Sequence, residues 1–220
     1  TGPTGSGKST TLYAALQALD AQQVNILTVE DPIEYELPGV GQTQVNPRID
    51  FDFARALRSI LRQDPDVIMI GEIRDQETAQ IAIQASLTGH LVLATLHTND
   101  AISTINRIAN MGVPNFMIAS ALTMVIGQRL ARRNCPSCRK FDQRIALPDL
   151  IRIGYSNEDA VRVKPMRGIG CADCNNTGFR GRLGLYEVLR KTPELEAAIL
   201  RNAQGQELLV EARKDGFSTM

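Results

Sequence analysis

Gly2-Pro3-Thr4-Gly5-Ser6-Gly7-Lys8-Ser9-Thr10 decides the fold. It fits the P-loop spacing G-x-x-x-x-G-K-[ST], with Gly2, Gly7, Lys8 and Ser9 at the fixed positions. A phosphate chain is bulky and strongly negative. Glycines at 2, 5 and 7 let the backbone turn sharply, so that successive N–H groups point at phosphate oxygens. Lys8 adds a point charge near the β- and γ-phosphates, and the Ser9 hydroxyl stands where Mg²⁺ is held. The Ala- and Leu-rich stretch Thr10 to Ala18 reads as a helix whose positive end faces the anion. A flexible Gly/Ser linker has no reason to carry Lys-Ser-Thr followed at once by a helical pattern. A P-loop ordinarily follows a buried parallel strand, and only Thr1 precedes this one. With no completed stop at Met220, the chain is expected to be a piece of a longer protein without the first strand of its sheet.

Downstream the pattern is α/β. Asn25 to Glu30 is a short apolar run with β-branched residues, which reads as a buried parallel strand stopped by Asp31-Pro32. Its carboxyl end carries Glu30, with Glu34 close behind, at the sheet edge where ligands sit in open α/β folds. Residues 35–50 read as a loop. Asp52 to Arg62 reads as a helix with an apolar face of Phe53, Leu57, Ile60 and Leu61. Arg55, Arg58 and Arg62 fall on its other faces, as a solvated surface or as contacts to phosphate or a neighbouring subunit.

Val67 to Glu72 reads as a second buried strand ending in an acid. This is the Walker B arrangement with Gly71 where an aspartate is usual. Glu72 is then the one acid at the strand end, placed to polarise an attacking water or to hold Mg²⁺ through water. The alternative is a helix-capping glutamate. Asp75 opens a helix through Leu87, and Leu91 to Leu96 is a third strand flanked by the two histidines, His90 and His97. His97 follows the carboxyl end and is expected to sense the γ-phosphate; His90, at the opposite end, reads as structural and hydrogen-bonded. Thr98-Asn99-Asp100 caps a helix from Ala101 to Met111, and Phe116 to Leu130 is expected to form another.

Four cysteines stand in two C-x-x-C pairs, Cys135/Cys138 and Cys171/Cys174. Each pair offers two thiolates from one tight turn, and four close a tetrahedron with no position left for water. The site reads as structural Zn²⁺. A thioredoxin-like redox pair is the weaker reading, since neither pair opens a helix after a strand. Leu183 to Leu189 reads as an edge strand, Thr192-Pro193-Glu194 as a helix start and Glu207 to Arg213 as a last helix.

Bulk composition narrows the classes. The 220 residues are 43% hydrophobic and 22% charged, as in a folded globular chain. Lys and Arg balance Asp and Glu at 24 each, aromatic residues are 5% and Trp is absent, which argues against a nucleic-acid partner. No signal peptide is visible. The long uncharged run between Arg107 and Arg129 is broken by Asn110, Gly112, Pro114 and Asn115, so it reads as two packed helices rather than a membrane span.

These residues together resemble the AAA-like/RecA-like secretion ATPases that drive type IV pilus assembly and type II secretion. Gly2 to Thr10 resembles the family's Walker A. Thr28-Val29-Glu30-Asp31-Pro32-Ile33-Glu34 resembles its Asp box, and Gly71-Glu72-Ile73-Arg74-Asp75 its atypical Walker B. Thr88-Gly89-His90-Leu91 through Leu96-His97-Thr98 resembles its His box. Gln128-Arg129-Leu130, the tetracysteine pairs and Thr177-Gly178-Phe179-Arg180-Gly181-Arg182 resemble the assembly branch.

The resemblance implies a RecA-like P-loop core at 1–132 with a mainly parallel sheet flanked by helices. A zinc-binding insertion at 133–184 and a C-terminal strand with helices at 185–220 complete the expected division. It also implies ATP, Mg²⁺ and Zn²⁺ as ligands, a homohexamer, and an inner-membrane platform protein as partner at the cytoplasmic face of the inner membrane. Membrane association is then peripheral and through partners, with no nucleic acid. In that reading Glu72 activates water, Glu30 assists it or orders Mg²⁺, and His97 reads the γ-phosphate. ATP hydrolysis would drive pilin polymerisation, or type II secretion as the alternative. The trans-acting arginines of the family lie outside this chain, so turnover by the chain alone is expected to be weak. A RecA-like nucleic-acid translocase and a small-molecule kinase are the more remote readings.

Overall fold

The computed structural model describes residues 1–220. The apolar runs at 26–30 and 67–70 do what continuous hydrophobic strands do and go to the middle of a parallel sheet. This sheet has the order β2-β1-β3-β4, formed by β1 (Ile26–Glu30), β2 (Gly41–Gln44), β3 (Val67–Ile70) and β4 (Leu91–Ala94). Every residue of β1 and β3 is buried. Successive side chains leave on opposite faces, so each face acquires its own core. On one face α1 (Lys8–Gln17) lays Tyr13 and Leu16 against Ile26, Val67 and Met69. On the other, Leu27, Val29, Ile68 and Ile70 join the apolar faces of α2 (Phe53–Ile60), α3 (Gln76–Leu87) and α4 (Ala101–Asn110). The register pairs Val29 with Ile70 and Ile70 with Ala94. Glu30, Gly71-Glu72 and Thr95 to His97 therefore emerge at one edge.

The helices start where the sequence marks them. Asp52, Asp75 and Asp100 accept hydrogen bonds from the backbone N–H groups of Arg55, Thr78 and Ser103, satisfying donors that the helix itself cannot. The same holds for Thr192 at the start of α8 (Pro193–Leu200).

Two expectations fail. Phe116 to Leu130 is not one helix: α5 (Asn115–Ala121) ends early, and β5 (Met124–Asn134) follows. The apolar spacing suits a helix, but backbone partners decide otherwise. Thr1 donates to the Ile126 carbonyl at 2.5 Å and accepts from the Gln128 N–H at 2.9 Å, and β5 pairs with β8 (Phe179–Arg190). Tertiary pairing outweighs a weak local preference. The second failure is the expected loop at 35–50, which contains β2. Its sequence, Gly-Gln-Thr-Gln, carries no apolar signal because it is an edge strand, held by parallel pairing of Gln42 with Thr28 and Gln44 with Glu30.

The chain forms two compact units, 1–129 with 185–220, and 130–184. The first contains the four-stranded sheet and its helices, α8, and α9 (Gln206–Lys214). The second contains β6 (Arg139–Phe141) paired antiparallel with β7 (Met166–Gly168), and the short helices α6 (Leu147–Arg152) and α7 (Asn157–Arg162). The 24:24 charge balance conceals a division between them. Residues 130–184 carry eleven Lys and Arg against five Asp and Glu, so the remainder of the chain is acidic by the same margin. No helix is long and apolar enough to cross a membrane.

Candidate functional site: an open phosphate loop and a cysteine cluster

Gly2, Pro3, Thr4, Gly5, Ser6 and Gly7 form the loop, and Lys8, Ser9 and Thr10 are the first turn of α1. Gly2 has φ 148°, and a Cβ there would stand 2.4 Å from the Gln128 carbonyl oxygen, so only glycine fits. Gly7, at φ 88°, precedes α1 with no side chain capping the helix. The free N–H groups of that first turn are the donors an anion needs. Ser6 is 3% exposed and its Oγ has no hydrogen-bond partner. Lys8 Nζ folds back over the loop, donating to the carbonyls of Gly2 at 2.9 Å and Pro3 at 3.1 Å. Burial lowers its pKa and the charge of Glu72 opposes that.

Glu72 leaves the end of β3 with its side chain 12% exposed. One oxygen pairs with Arg74 and the other lies 3.3 Å from His97 Nε2. Arg74 also reaches Asp31 at 3.7 Å. The residue before Glu72 packs closely on the end of β1. A Cβ at Gly71 would lie 3.2 Å from the Val29 carbonyl and 3.3 Å from Glu30 Cα, so a side chain there requires the end of β1 to give by a few tenths of an ångström. The structure thus brings together Glu72 and His97, and adds Arg74, which sequence reasoning passed over. Its signal was present: two residues beyond a strand-end acid, on the loop opposite the P-loop.

Glu30 is elsewhere. It is 3% exposed and its carboxylate is filled by donors: Tyr13 Oη, Thr28 Oγ1 at 2.5 Å and Gln42 Nε2 at 3.0 Å. Its route to Glu72 runs through the adjacent Asp31 and Arg74. Tyr13 is 1% exposed, and burial, then the hydrogen bond to Glu30, pushes its phenol from the ordinary 10 to about 12. With four tyrosines and no tryptophan, an alkaline absorbance titration can resolve it. One of four tyrosines is expected to ionise near pH 12. A raised pKa in the fold favours the neutral phenol, so this stabilisation is intact below pH 10 and is lost as pH climbs through the folded value. All four ionising together near 10 would contradict the buried Tyr13–Glu30 pair.

His90 is held at its Nδ1, 2.9 Å from the Ala85 carbonyl and 3.1 Å from Thr88 Oγ1. A carbonyl can only accept, so Nδ1 carries the proton. It takes no part in the loop.

In the second unit, Cys135, Cys138, Cys171 and Cys174 meet, each offering a sulfur within 4.8 Å of the others. Cys135–Cys171 and Cys138–Cys174 are 3.9 Å apart and Cys171–Cys174 3.7 Å. A disulfide needs about 2.05 Å, so these are free thiols. Four sulfurs about 2.3 Å from one ion in a tetrahedron stand about 3.8 Å from each other, so the cluster fits Zn²⁺. Backbone N–H groups of Gly170, Cys171 and Gly178 point at the Cys138 and Cys174 sulfurs at 3.2–3.3 Å, the partners a thiolate wants. At Cys174 burial raises the thiol pKa, but the Cys171 and Gly178 donors outweigh it and the net shift is downward.

A parallel sheet with acids at its carboxyl edge, facing a glycine loop and an uncapped helix, defines a RecA-like P-loop nucleotide-binding core. Comparison with known proteins narrows the class. The sequence pattern described as Type II/IV secretion system protein matches residues 1–220, and the chain belongs to that family. It is 56% identical over 208 residues to "Putative type II secretion system protein E" of Escherichia coli K12, covering 94% of this chain and 42% of that protein. It is 47% identical over 220 residues to "Type IV pilus assembly ATPase PilB" of Pseudomonas aeruginosa, covering 100% and 38%. A crystal structure of the pilus retraction motor PilT with bound ADP superposes with TM-score 0.63 at 32% identity, over 100% of this chain and 57% of that one. The chain thus spans about two fifths of these curated relatives.

Proposed function

We propose that the chain is the nucleotide-hydrolysing core of a secretion-family motor, with ATP as substrate. The observation that carries this is an uncapped P-loop helix whose loop is tied through Thr1 to Leu96 and Thr98, at the sheet edge where Glu72 and His97 meet. Lys8 and the loop N–H groups would hold the phosphates, and Lys8 must leave the Gly2 and Pro3 carbonyls to do so. Ser9, with Glu72 through water, would hold Mg²⁺, which neutralises charge gathering on the phosphate oxygens. Glu72 is the acceptor for the proton of the attacking water, which requires Arg74 or His97 to release one of its oxygens. His97, half exposed beside Glu72, would report on the γ-phosphate. The cysteine cluster would hold one Zn²⁺ as a fold-forming ion.

Printed names of the relatives support the machine. A homohexamer acting on an inner-membrane platform protein, peripheral at the cytoplasmic face, is the assembly this reading implies. Identity of 56% to a type II secretion protein against 47% to a pilus assembly ATPase supports secretion over pilin polymerisation.

Glu72→Gln tests the chemistry. The amide keeps the shape and removes the proton acceptor, so nucleotide binding is expected to persist while turnover falls about 10²–10³-fold. The comparison is made by calorimetry and phosphate release in the longest natural polypeptide containing this sequence. Unchanged turnover would remove Glu72 from the chemistry. Turnover stimulated by single-stranded nucleic acid instead of by membranes with the platform protein would favour a translocase.

A further inference from the structure

The carboxylate expected to work beside Glu72 is instead the centre of a buried hydrogen-bond network. We propose that Glu30, through Tyr13 and Gln42, braces the P-loop helix against the loop at 31–37, and that Tyr13 is a positioning residue for turnover. This deepens, and rests on, the nucleotide-hydrolysis reading above.

The geometry is as follows. Tyr13 lies four residues after Ser9, one turn further along the same face of α1. Its hydroxyl donates to Glu30 Oε2 at the end of β1 and accepts from the backbone N–H of Glu34 at 3.2 Å. One phenol therefore joins the helix that carries Lys8 and Ser9, the strand end and the acidic loop. Gln42, on the edge strand β2, completes the clamp. Its Nε2 donates to Glu30 Oε1 at 3.0 Å and to the Tyr35 carbonyl at 3.2 Å, and its Oε1 accepts from the Leu37 N–H at 2.7 Å. Gln44, two residues on, accepts from the Ile33 N–H at 3.2 Å. The loop so fixed carries Asp31, which touches Arg74, the partner of Glu72.

A carboxylate offers about four acceptor positions. Three of Glu30's are taken, by Tyr13, Thr28 and Gln42, at a residue 3% exposed. A group so occupied is poorly placed to receive a proton from water, and well placed to fix the distance between α1 and β1. Partly satisfied buried networks are costly, so removing one donor disturbs the whole set. Glu30 thus acts through its neighbours instead of on substrate.

The test compares Tyr13→Phe, Glu30→Gln, and Glu30→Gln combined with Gln42→Glu, in the same polypeptide used for Glu72→Gln. The double change exchanges acid and amide and restores a donor–acceptor pair between positions 30 and 42, while the Tyr35 carbonyl loses its donor. Readouts are the Kd for a fluorescent ADP, kcat and KM for ATP, and amide exchange at Glu34. Tyr13→Phe is expected to lower kcat about 10-fold with Kd and KM within about 3-fold, the mark of lost positioning rather than lost binding. The Glu34 amide, deprived of its acceptor, is expected to exchange about 10-fold faster or more. Glu30→Gln behaves likewise, and the exchange with Gln42→Glu recovers part of the loss, through the restored bond between positions 30 and 42.

Glu30→Gln as crippling as Glu72→Gln, with no recovery in the double variant, would overturn the proposal and make Glu30 a chemical participant. Unchanged kcat and unchanged Glu34 exchange in Tyr13→Phe would overturn it too. Absence of nucleotide binding and turnover in the unaltered protein would instead sink the hydrolysis reading, and Glu34 exchange would still decide whether the brace exists.

Discussion

Lys8→Ala is expected to weaken nucleotide binding roughly 100-fold or more, the scale of losing charge-assisted hydrogen bonds to phosphate. The side chain is the one cation in the loop, and the N–H groups around it supply only partial charges. Its ammonium sits over the loop, on the Gly2 and Pro3 carbonyls, so the substitution also removes the bonds that close the loop on itself. The fold itself is expected to survive, because Lys8 is only partly buried and the apolar face of α1 is made by Tyr13 and Leu16. Calorimetric titration with ADP beside a thermal melt separates the two effects. Equal affinity in the substituted and unaltered proteins would overturn the phosphate-loop assignment. Lost affinity with an unchanged melt is the expected pair.

Loss of the zinc proposed for the cysteine cluster is expected to be the second large effect. Within 130–184 the buried apolar side chains besides the cysteines are Leu150 and Ala160. The cluster of buried residues there consists of the cysteines themselves. A unit of this size without a hydrophobic core needs another source of free energy. A structural zinc supplies one, because binding to deprotonated thiolates is inseparable from folding. Protein purified under reducing conditions is expected to contain one zinc per chain. Chelation, or Cys138→Ser, is expected to remove amide protection across 135–178, including the Cys135, Ile169 and Asn176 N–H groups bonded within the unit. No zinc by metal analysis, or protection unchanged after chelation, would overturn the metal assignment.

Much of this was legible in the chain because the signals are local. The P-loop spacing, the caps Asp52, Asp75 and Asp100, and the buried strands at 26–30 and 67–70 each depend on a few neighbouring residues. The paired C-x-x-C turns are legible for the same reason, and the four sulfurs do converge. What was misread depends on partners distant in sequence. The spacing of Met117, Ala121, Leu122, Val125 and Ile126 suits a helix, and the strand from Met124 is selected by the bonds of 126 and 128 to Thr1 and by pairing with β8.

The sequence by itself determined the chemistry on offer: a phosphate loop, acids at strand ends, two histidines and four thiols. Local backbone preference and side-chain type suffice for that. Tertiary structure alone decided which of these groups meet. It joined Glu72 to His97 and Arg74, and enclosed Glu30 among Tyr13, Thr28 and Gln42. It also divided a neutral chain into a basic and an acidic unit. The physical reason is that a carboxylate's role is set by its exposure and its donors, and those come from strands and helices many residues away.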